Sequence, residues 1–317
     1  MTEKRPMVIL TGPTAVGKTA LSIELAKKIN GSIISADSMQ VYRHMDIGSA
    51  KVMPEEMDGV RHYLIDEFEP DEEFHVVKFV ERAKKHLEEI YAEGKIPIIA
   101  GGTGFYIQAL LYDIDFTEQE CDEAYRAELE QLAVEKGADY LHNMLREVDP
   151  ASADAIHANN IKRVIRALEF YHLSGKRISE HNEKEREKTS PYHFAYFVLT
   201  DERPHLYANI DKRVDLMIEQ GLVDEVQKLK NMGFHRDMVS MQGLGYKEIL
   251  DYLDGKTTLE EAIYIIKRET RHFAKRQLTW FRRERDVIWL DKQAYDYQDA
   301  KILDSMINIL KEKTIIN

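Results

Sequence analysis

Eight residues carry the first chemical signal. Gly12, Pro13, Thr14, Ala15, Val16, Gly17, Lys18 and Thr19 have the spacing G-x-x-x-x-G-K-T. Gly12 and Gly17 permit a backbone turn that aims N–H groups inward. The positive end of the helix that follows adds to this anion cradle. Lys18 brings a charge to an outer phosphate, and the Thr19 hydroxyl can hold Mg²⁺ on phosphate oxygens. The loop specifies a phosphate compound without saying which, and ATP is the ordinary first guess.

Asp37 is the second signal. It follows Ser32-Ile33-Ile34-Ser35-Ala36, a strand pattern expected beside the loop. Its carboxylate suits a place on the Mg²⁺ side of a phosphate site, or a general base beside it. The plain alternative is a helix cap. Gln40, three residues on, has the amide that pairs with the N6 and N7 edge of adenine. Gly101-Gly102-Thr103-Gly104 closes another strand pattern; its glycines allow close backbone approach to a ligand and Thr103 offers a hydroxyl. A purely structural turn explains that stretch equally well.

The third signal is cationic. Lys267, Arg268, Arg271, Lys275, Arg276, Arg282, Arg283 and Arg285 face only Glu269 and Glu284 in the same stretch, with Trp280 and Phe281 interleaved. Basic side chains with aromatics suit an RNA backbone and unstacked bases; a solvated helix face is the bland reading. Arg163 and Arg166 could supply a second contact, and Arg203 and Arg213 could reach a phosphate or sit in surface ion pairs.

The elements that must position these groups read as alternating strands and helices. Strand patterns fall at 7–11, 32–36, 62–65, 96–100, 194–199 and 287–290. Helical patterns fall at 18–29, 76–92, 161–170, 210–231, 246–253 and 258–284. The last should bury Ile263, Ile266, Phe273 and Trp280. This alternation predicts an α/β fold: a P-loop NTPase-like parallel sheet flanked by helices, with ligands at the carboxyl ends of its strands. Residues 118–147 are Glu-rich, with Leu129, Leu132, Leu141 and Leu145 as apolar positions and a turn at Gly137. Residues 176–190 read as a solvated linker. The expected organisation is a core of 1–113 and 191–317 with a helical insertion over 114–190.

At 317 residues and 44% hydrophobic content, a sizeable core is available. The net charge of −12 means that nucleic-acid binding needs a local basic patch. The single cysteine, Cys121, excludes a disulfide framework and reads as an ordinary side chain on a helix. No apolar run approaches a membrane span, and the N-terminus lacks a signal h-region. A cytoplasmic monomer without a membrane partner is expected.

The stretches GPTAVGKT, SADSMQVYRHMDIGSAK, AGGTGFYIQALLY, RVDLMIEQGLVDEV, GLGYKEILDYL and TRHFAKRQLTWFRRE together resemble the tRNA dimethylallyltransferases, also called tRNA isopentenyltransferases. The likeness runs through almost the whole chain. It implies transfer of a dimethylallyl group from dimethylallyl diphosphate to the N6 amine of an adenosine beside the anticodon of a tRNA. The loop Gly12–Thr19 would then hold the donor's diphosphate, with Mg²⁺ at Thr19. The resemblance implies Asp37 as general base, with Lys18, Thr103 and Arg213 completing the catalytic set. Asp37, Ser38, Met39 and Gln40 map onto the adenine-contacting segment. Contacts to the tRNA anticodon stem-loop would further include Thr103, Arg126, Ile161, Lys162, Arg163, Val164, Ile165 and Arg166. From the C-terminal region they would include Gly245, Tyr246, Arg271, Lys275, Arg276, Gln277, Trp280 and Arg282. Lys162 stands where the family usually has Gln, and Ser49-Ala50-Lys51-Val52 where many members have Thr-Ala-Lys-Pro; the first bears on one tRNA contact, neither on the chemistry. The rival readings are a P-loop kinase of a nucleotide or small molecule, a prenyltransferase acting on free adenine nucleotides, and a P-loop switch or RNA-binding module.

Overall fold

The computed structural model describes residues 4–116 and 122–317. Cys121, residues 118–120 of the Glu-rich stretch and residues 1–3 lie outside them. The chain opens with β1 (Pro6–Thr11), α1 (Lys18–Ile29), β2 (Gly31–Ser35), β3 (His62–Tyr63), α2 (Val76–Ala92), β4 (Ile96–Gly101) and α3 (Gly104–Leu111). Five helices follow: α4 (Glu123–Lys136), α5 (Ala138–Val148), α6 (Pro150–Ala155), α7 (Ile161–Ser174) and α8 (Ile178–Glu187). The remainder is β5 (His193–Thr200), α9 (Arg203–Glu219), α10 (Leu222–Asn231), α11 (Tyr246–Leu253), α12 (Leu259–Phe281), β6 (Val287–Asp291) and α13 (Asp299–Glu312). Two compact units result, one of the residues up to Leu111 with Pro191–Asn317, the other Tyr112–Ser190.

In the first unit six parallel strands form one sheet, ordered β3-β2-β4-β1-β5-β6. Parallel strands are covered by helices on both faces, so their sequences are nearly continuous apolar runs. Met7, Val8, Ile9 and Leu10 in β1 and Ala195 through Leu199 in β5 are accordingly fully buried. The register aligns Thr11 with Gly101 on one side and Val198 on the other, and Ser35 with Ala100. That alignment brings the residues after β1, β2 and β4 to one edge of the sheet: the Gly12–Thr19 loop, Asp37 and Thr103.

The second unit has its own apolar core. Leu129, Leu141, Leu145, Val164 and Leu168 pack together at 3% exposure or less. Gly137, at φ 86°, separates α4 from α5 at the turn the sequence indicated. The linker expected over 176–190 is a helix instead. Asp149, itself buried, caps α6 through Ser152 and also accepts from the Ser179 amide at 3.0 Å and hydroxyl at 2.7 Å, tying down the start of α8. Burial alone would raise the Asp149 carboxyl pKa, but these hydrogen bonds outweigh it and hold the group below its ordinary value.

Other departures have local causes. The strand expected at 62–65 stops at Tyr63, because Leu64 turns to φ 60°. The helix expected at 210–231 is two helices, broken at Gly221, φ 98°. In α12 the buried side is Ala262, Ile266, Ala274, Gln277 and Phe281, so Phe273 and Trp280 are only partly covered. We predict that Leu145→Ala costs about 2–5 kcal/mol, read by hydrogen exchange as faster opening of residues 122–190. Equal acceleration in β1 and β5 would contradict a separate core for the second unit.

Candidate active site

The Gly12–Thr19 loop is shaped by steric necessity at its first residue. Gly12 has φ 148°, and a Cβ there would lie 2.3 Å from the Leu199 carbonyl oxygen of β5. Gly17, at φ 97°, then delivers Lys18 to the first turn of α1. The Lys18 ammonium folds back over the loop, donating to the Gly12 carbonyl at 2.9 Å and the Pro13 carbonyl at 2.8 Å. Burial, reinforced by the Arg213 cation, lowers its pKa from 10.5 to about 7, while the Asp37 carboxylate pulls the other way. Arg213 comes from α9 and donates to the Thr14 hydroxyl at 3.4 Å. Its own pKa is lowered by burial and held up by Asp37. Two confined basic side chains beside a glycine loop that opens α1 form a site for a polyanion.

Asp37 serves both as a turn cap and as a cavity group. Its Oδ1 accepts from the Met39 amide at 2.8 Å and from the Gln40 amide at 3.3 Å. Oδ2 makes no hydrogen bond among the described residues, and Asp37 lines the same cavity as Lys18 and Arg213. Thr103 lines it from the end of β4, held by its amide donating to the Ala36 carbonyl at 3.1 Å. The Gln40 amide is half engaged: Oε1 accepts from the Ser35 hydroxyl at 3.0 Å and Nε2 donates to the Ala50 carbonyl at 3.0 Å. One lone pair and one N–H remain, pre-oriented for a planar partner.

The cavity measures about 490 Å³. Its apolar wall is Ile210, Val214 and Met217 of α9 with Ile266 and Phe273 of α12. The sequence shows these α9 positions only as part of a helical pattern over 210–231; their i, i+4, i+7 spacing is the signal that places them on one face. Ser38, Met39, Gly245, Arg276 and Gln277 also line the cavity. Thr19 lines it at the first turn of α1, whereas Arg203 opens α9 on the exposed surface.

Gln277 is not a free contact residue. It is 6% exposed. Its Oε1 accepts from the Thr14 amide at 2.9 Å and its Nε2 donates to the Gly102 carbonyl at 2.9 Å. A Cβ on Gly102 would approach that nitrogen to 2.3 Å, which explains the glycine. Tyr246 is likewise closed to a ligand, being fully buried with its hydroxyl donating to Glu225. Gly245 is a buried turn residue at φ 96° whose amide donates to Glu248. Arg271 is paired with Asp211, and Lys267 with Asp215, so the first half of the basic stripe fastens α12 to α9.

Lys275, Arg276, Arg282 and Arg283 make no ion pair among the described residues and are exposed. Lys275, Arg276, Trp280 and Arg283 border a shallow groove of about 370 Å³. Trp280 meets the exposed Phe105 ring edge to face at 6.1 Å. In the second unit, Val164 and Ile165 are core residues and offer no surface. Ile161 is half-buried against the same core. Lys162, Arg163 and Arg166 stand exposed on α7, and Arg126 binds the buried Glu169 carboxylate at 2.8 and 3.0 Å.

Two outcomes test this geometry. Gln277→Ala strands the part-buried Thr14 N–H and the buried Gly102 carbonyl, a loss of about 1–3 kcal/mol, and should weaken pyrophosphate binding about tenfold by calorimetry; unchanged pyrophosphate affinity would show that Gln277 does not shape the loop. The second concerns Lys18. An anion favours the protonated amine, so binding at pH 8.5 should take up close to one proton, with affinity rising as pH falls towards 7. Lys18→Arg, charged throughout, should lose that component when proton uptake is compared in two buffers. Identical uptake by both proteins would refute the lowered pKa.

The IPP transferase family model matches residues 40–284. The chain is 65% identical to the tRNA dimethylallyltransferase of Lachnoclostridium phytofermentans, over 98% of this chain and 99% of that one. It is 54% identical to that of Clostridioides difficile, over 94% and 95%. Among solved structures, the tRNA isopentenylpyrophosphate transferase of Bacillus halodurans superposes with a TM-score of 0.73 at 47% identity, covering 98% of each chain. A eukaryotic dimethylallyltransferase acting on tRNA superposes at 0.78 and 32% identity, over 90% of this chain and 74% of that one. With the phosphate loop, the cavity and these likenesses in agreement, the chain belongs to the IPP transferase family, the tRNA dimethylallyltransferases.

Proposed function

We propose that this protein transfers the dimethylallyl group of dimethylallyl diphosphate to the exocyclic N6 of an adenosine beside the anticodon of tRNA. The observation that carries the reading is one cavity with three chemistries. Lys18, Arg213 and the loop amides offer a seat for a diphosphate. Ile210, Val214, Met217, Ile266 and Phe273 offer an apolar wall for a five-carbon chain. Asp37, Gln40 and Thr103 offer a carboxylate and polar groups for an adenine. A kinase of a small polar acceptor has no use for that apolar wall.

The amine attacks the allylic carbon as its bond to oxygen breaks, and the electron pair leaves with the diphosphate. Lys18, Arg213 and the loop amides stand where that negative charge grows. The free oxygen of Asp37 takes the proton lost by N6, which becomes a secondary amine. The exocyclic amine is a weak nucleophile, so orientation by the half-engaged Gln40 amide and the Thr103 hydroxyl contributes directly to rate. The target base must leave its stack to enter the cavity. Lys275 and Arg276 of α12 with Arg282 and Arg283 just past its end are the cations available to the anticodon arm there, and Lys162, Arg163 and Arg166 those from α7.

A Mg²⁺ ion fits as a partner of the bound diphosphate rather than of a protein cage. Among the described residues no three His, Cys, Asp or Glu side chains gather into a metal-binding set, and Thr19 is the hydroxyl at the mouth of the loop. When bound, the ion would neutralise charge on the departing diphosphate. All groups named come from one chain, so a monomer suffices. No helix among the described residues is long and apolar enough to cross a membrane.

Asp37→Asn should lower single-turnover transfer of labelled dimethylallyl to unmodified tRNA by about 10²–10⁴-fold, with tRNA affinity held within a few-fold. Near-normal turnover would remove the general-base role. Label transferred to AMP but not to tRNA would overturn the assigned acceptor.

A further inference from the structure

One carboxylate outside the cavity carries an unusual load. Glu225, on α10, accepts four hydrogen bonds. Its Oε2 takes the amides of Asp46 at 2.9 Å and Ile47 at 2.8 Å. Its Oε1 takes the Gly48 amide at 3.1 Å and the Tyr246 hydroxyl at 2.9 Å. Three consecutive backbone N–H groups converging on one anion form a nest; here the anion is supplied by the protein itself. The fit is close: a Cβ on Gly48 would lie 2.6 Å from the Tyr246 ring.

The nested loop leads to the cavity. Gly48, Ser49 and Ala50 line it. The Ala50 amide donates to the Ile47 carbonyl at 3.0 Å, and the Ala50 carbonyl receives the Gln40 Nε2 at 3.0 Å. The other end of the loop is pinned by Lys51, whose buried ammonium reaches the Tyr42 carbonyl, Asp46 and Asp66. Lys51 fixes the loop to its own neighbours in sequence, whereas Glu225 fixes it to the C-terminal helices that also wall the cavity.

The geometry points to Glu225 as a positioning residue for acceptor recognition: through the 46–50 loop it sets the plane of the Gln40 amide that reads the adenine edge. This rests on the acceptor assignment made above. Glu225 touches neither substrate; its effect travels through Ala50 and Gln40. Setting a half-buried carboxylate against three amides has a sign that an isosteric amide cannot reproduce, because one end of Gln presents N–H to N–H.

The test crosses the protein with the base. Anticodon stem-loops carrying adenosine or 7-deazaadenosine at the target position are compared in wild-type protein and in Glu225→Gln. The 7-deaza base lacks the N7 acceptor for Gln40. Wild type should lose about tenfold in kcat/KM on 7-deazaadenosine, the weight of one hydrogen bond. Glu225→Gln should be slower on adenosine yet treat the two bases within about twofold, with pyrophosphate affinity unchanged. If the variant still loses tenfold on 7-deazaadenosine, the two effects are independent and Glu225 is a stability residue only. A wild-type protein indifferent to N7 would overturn the base-reading role of Gln40, and the positioning role with it. Should Glu225→Gln fold poorly, Gly48→Ala displaces the same loop from the Tyr246 side, and the same loss of discrimination is expected.

Discussion

The arrangement of the cavity depends on one side-chain amide. Gln277 reaches from the long basic helix to the phosphate loop at Thr14 and to the end of β4 at Gly102. Those two backbone segments end different strands and share no ladder beyond Thr11 and Gly101. A carboxylate in that place would accept from Thr14 but could not donate to Gly102, and an ammonium would do the reverse. Only an amide offers one acceptor and one donor at the right separation. Because the Gly102 carbonyl is buried and the Thr14 amide partly so, leaving either unpaired is costly. The relation of the loop to Thr103 is therefore set by a residue more than 170 positions away in sequence.

Around that brace, charge is divided by use. Lys18 and Arg213 are confined together with one carboxylate, Asp37, and burial lowers the pKa of both basic groups. An anion placed between them would favour the protonated form of both. The same division appears along α12. Its first cations are spent on Asp211 and Asp215 of α9. Lys275 and Arg276, with Arg282 and Arg283 just past its end, are exposed and make no ion pair among the described residues. A chain of net charge −12 thus keeps a concentrated basic surface beside its cavity.

Much of this was legible in the sequence because it rests on local rules. The G-x-x-x-x-G-K-T spacing, the apolar runs of β1, β4 and β5, and the residues ending β2 and β4 identify a phosphate site at strand ends. Helices α1, α2 and α11 fall where periodicity places them. The structure departs from the sequence reading where a side chain's environment comes from distant sequence. Gln277 and Arg271 sit in a stretch rich in RNA-binding residue types and Tyr246 follows a glycine turn, yet each is engaged within the fold. Val164 and Ile165 lie between cations on α7 but face the second unit's core. Helix α8 looked like a linker because its composition is polar; its anchor, Asp149, lies 30 residues away.

The sequence by itself determined the chemistry of the loop, the carboxylate at the neighbouring strand end and the family to which the whole belongs, since these follow from residue types at short fixed spacings. Only the tertiary structure decided which cations remain free, which amide braces the loop and which apolar residues wall the cavity. Those outcomes depend on burial and on partners brought together by strand order, and neither is written in the spacing of any one segment.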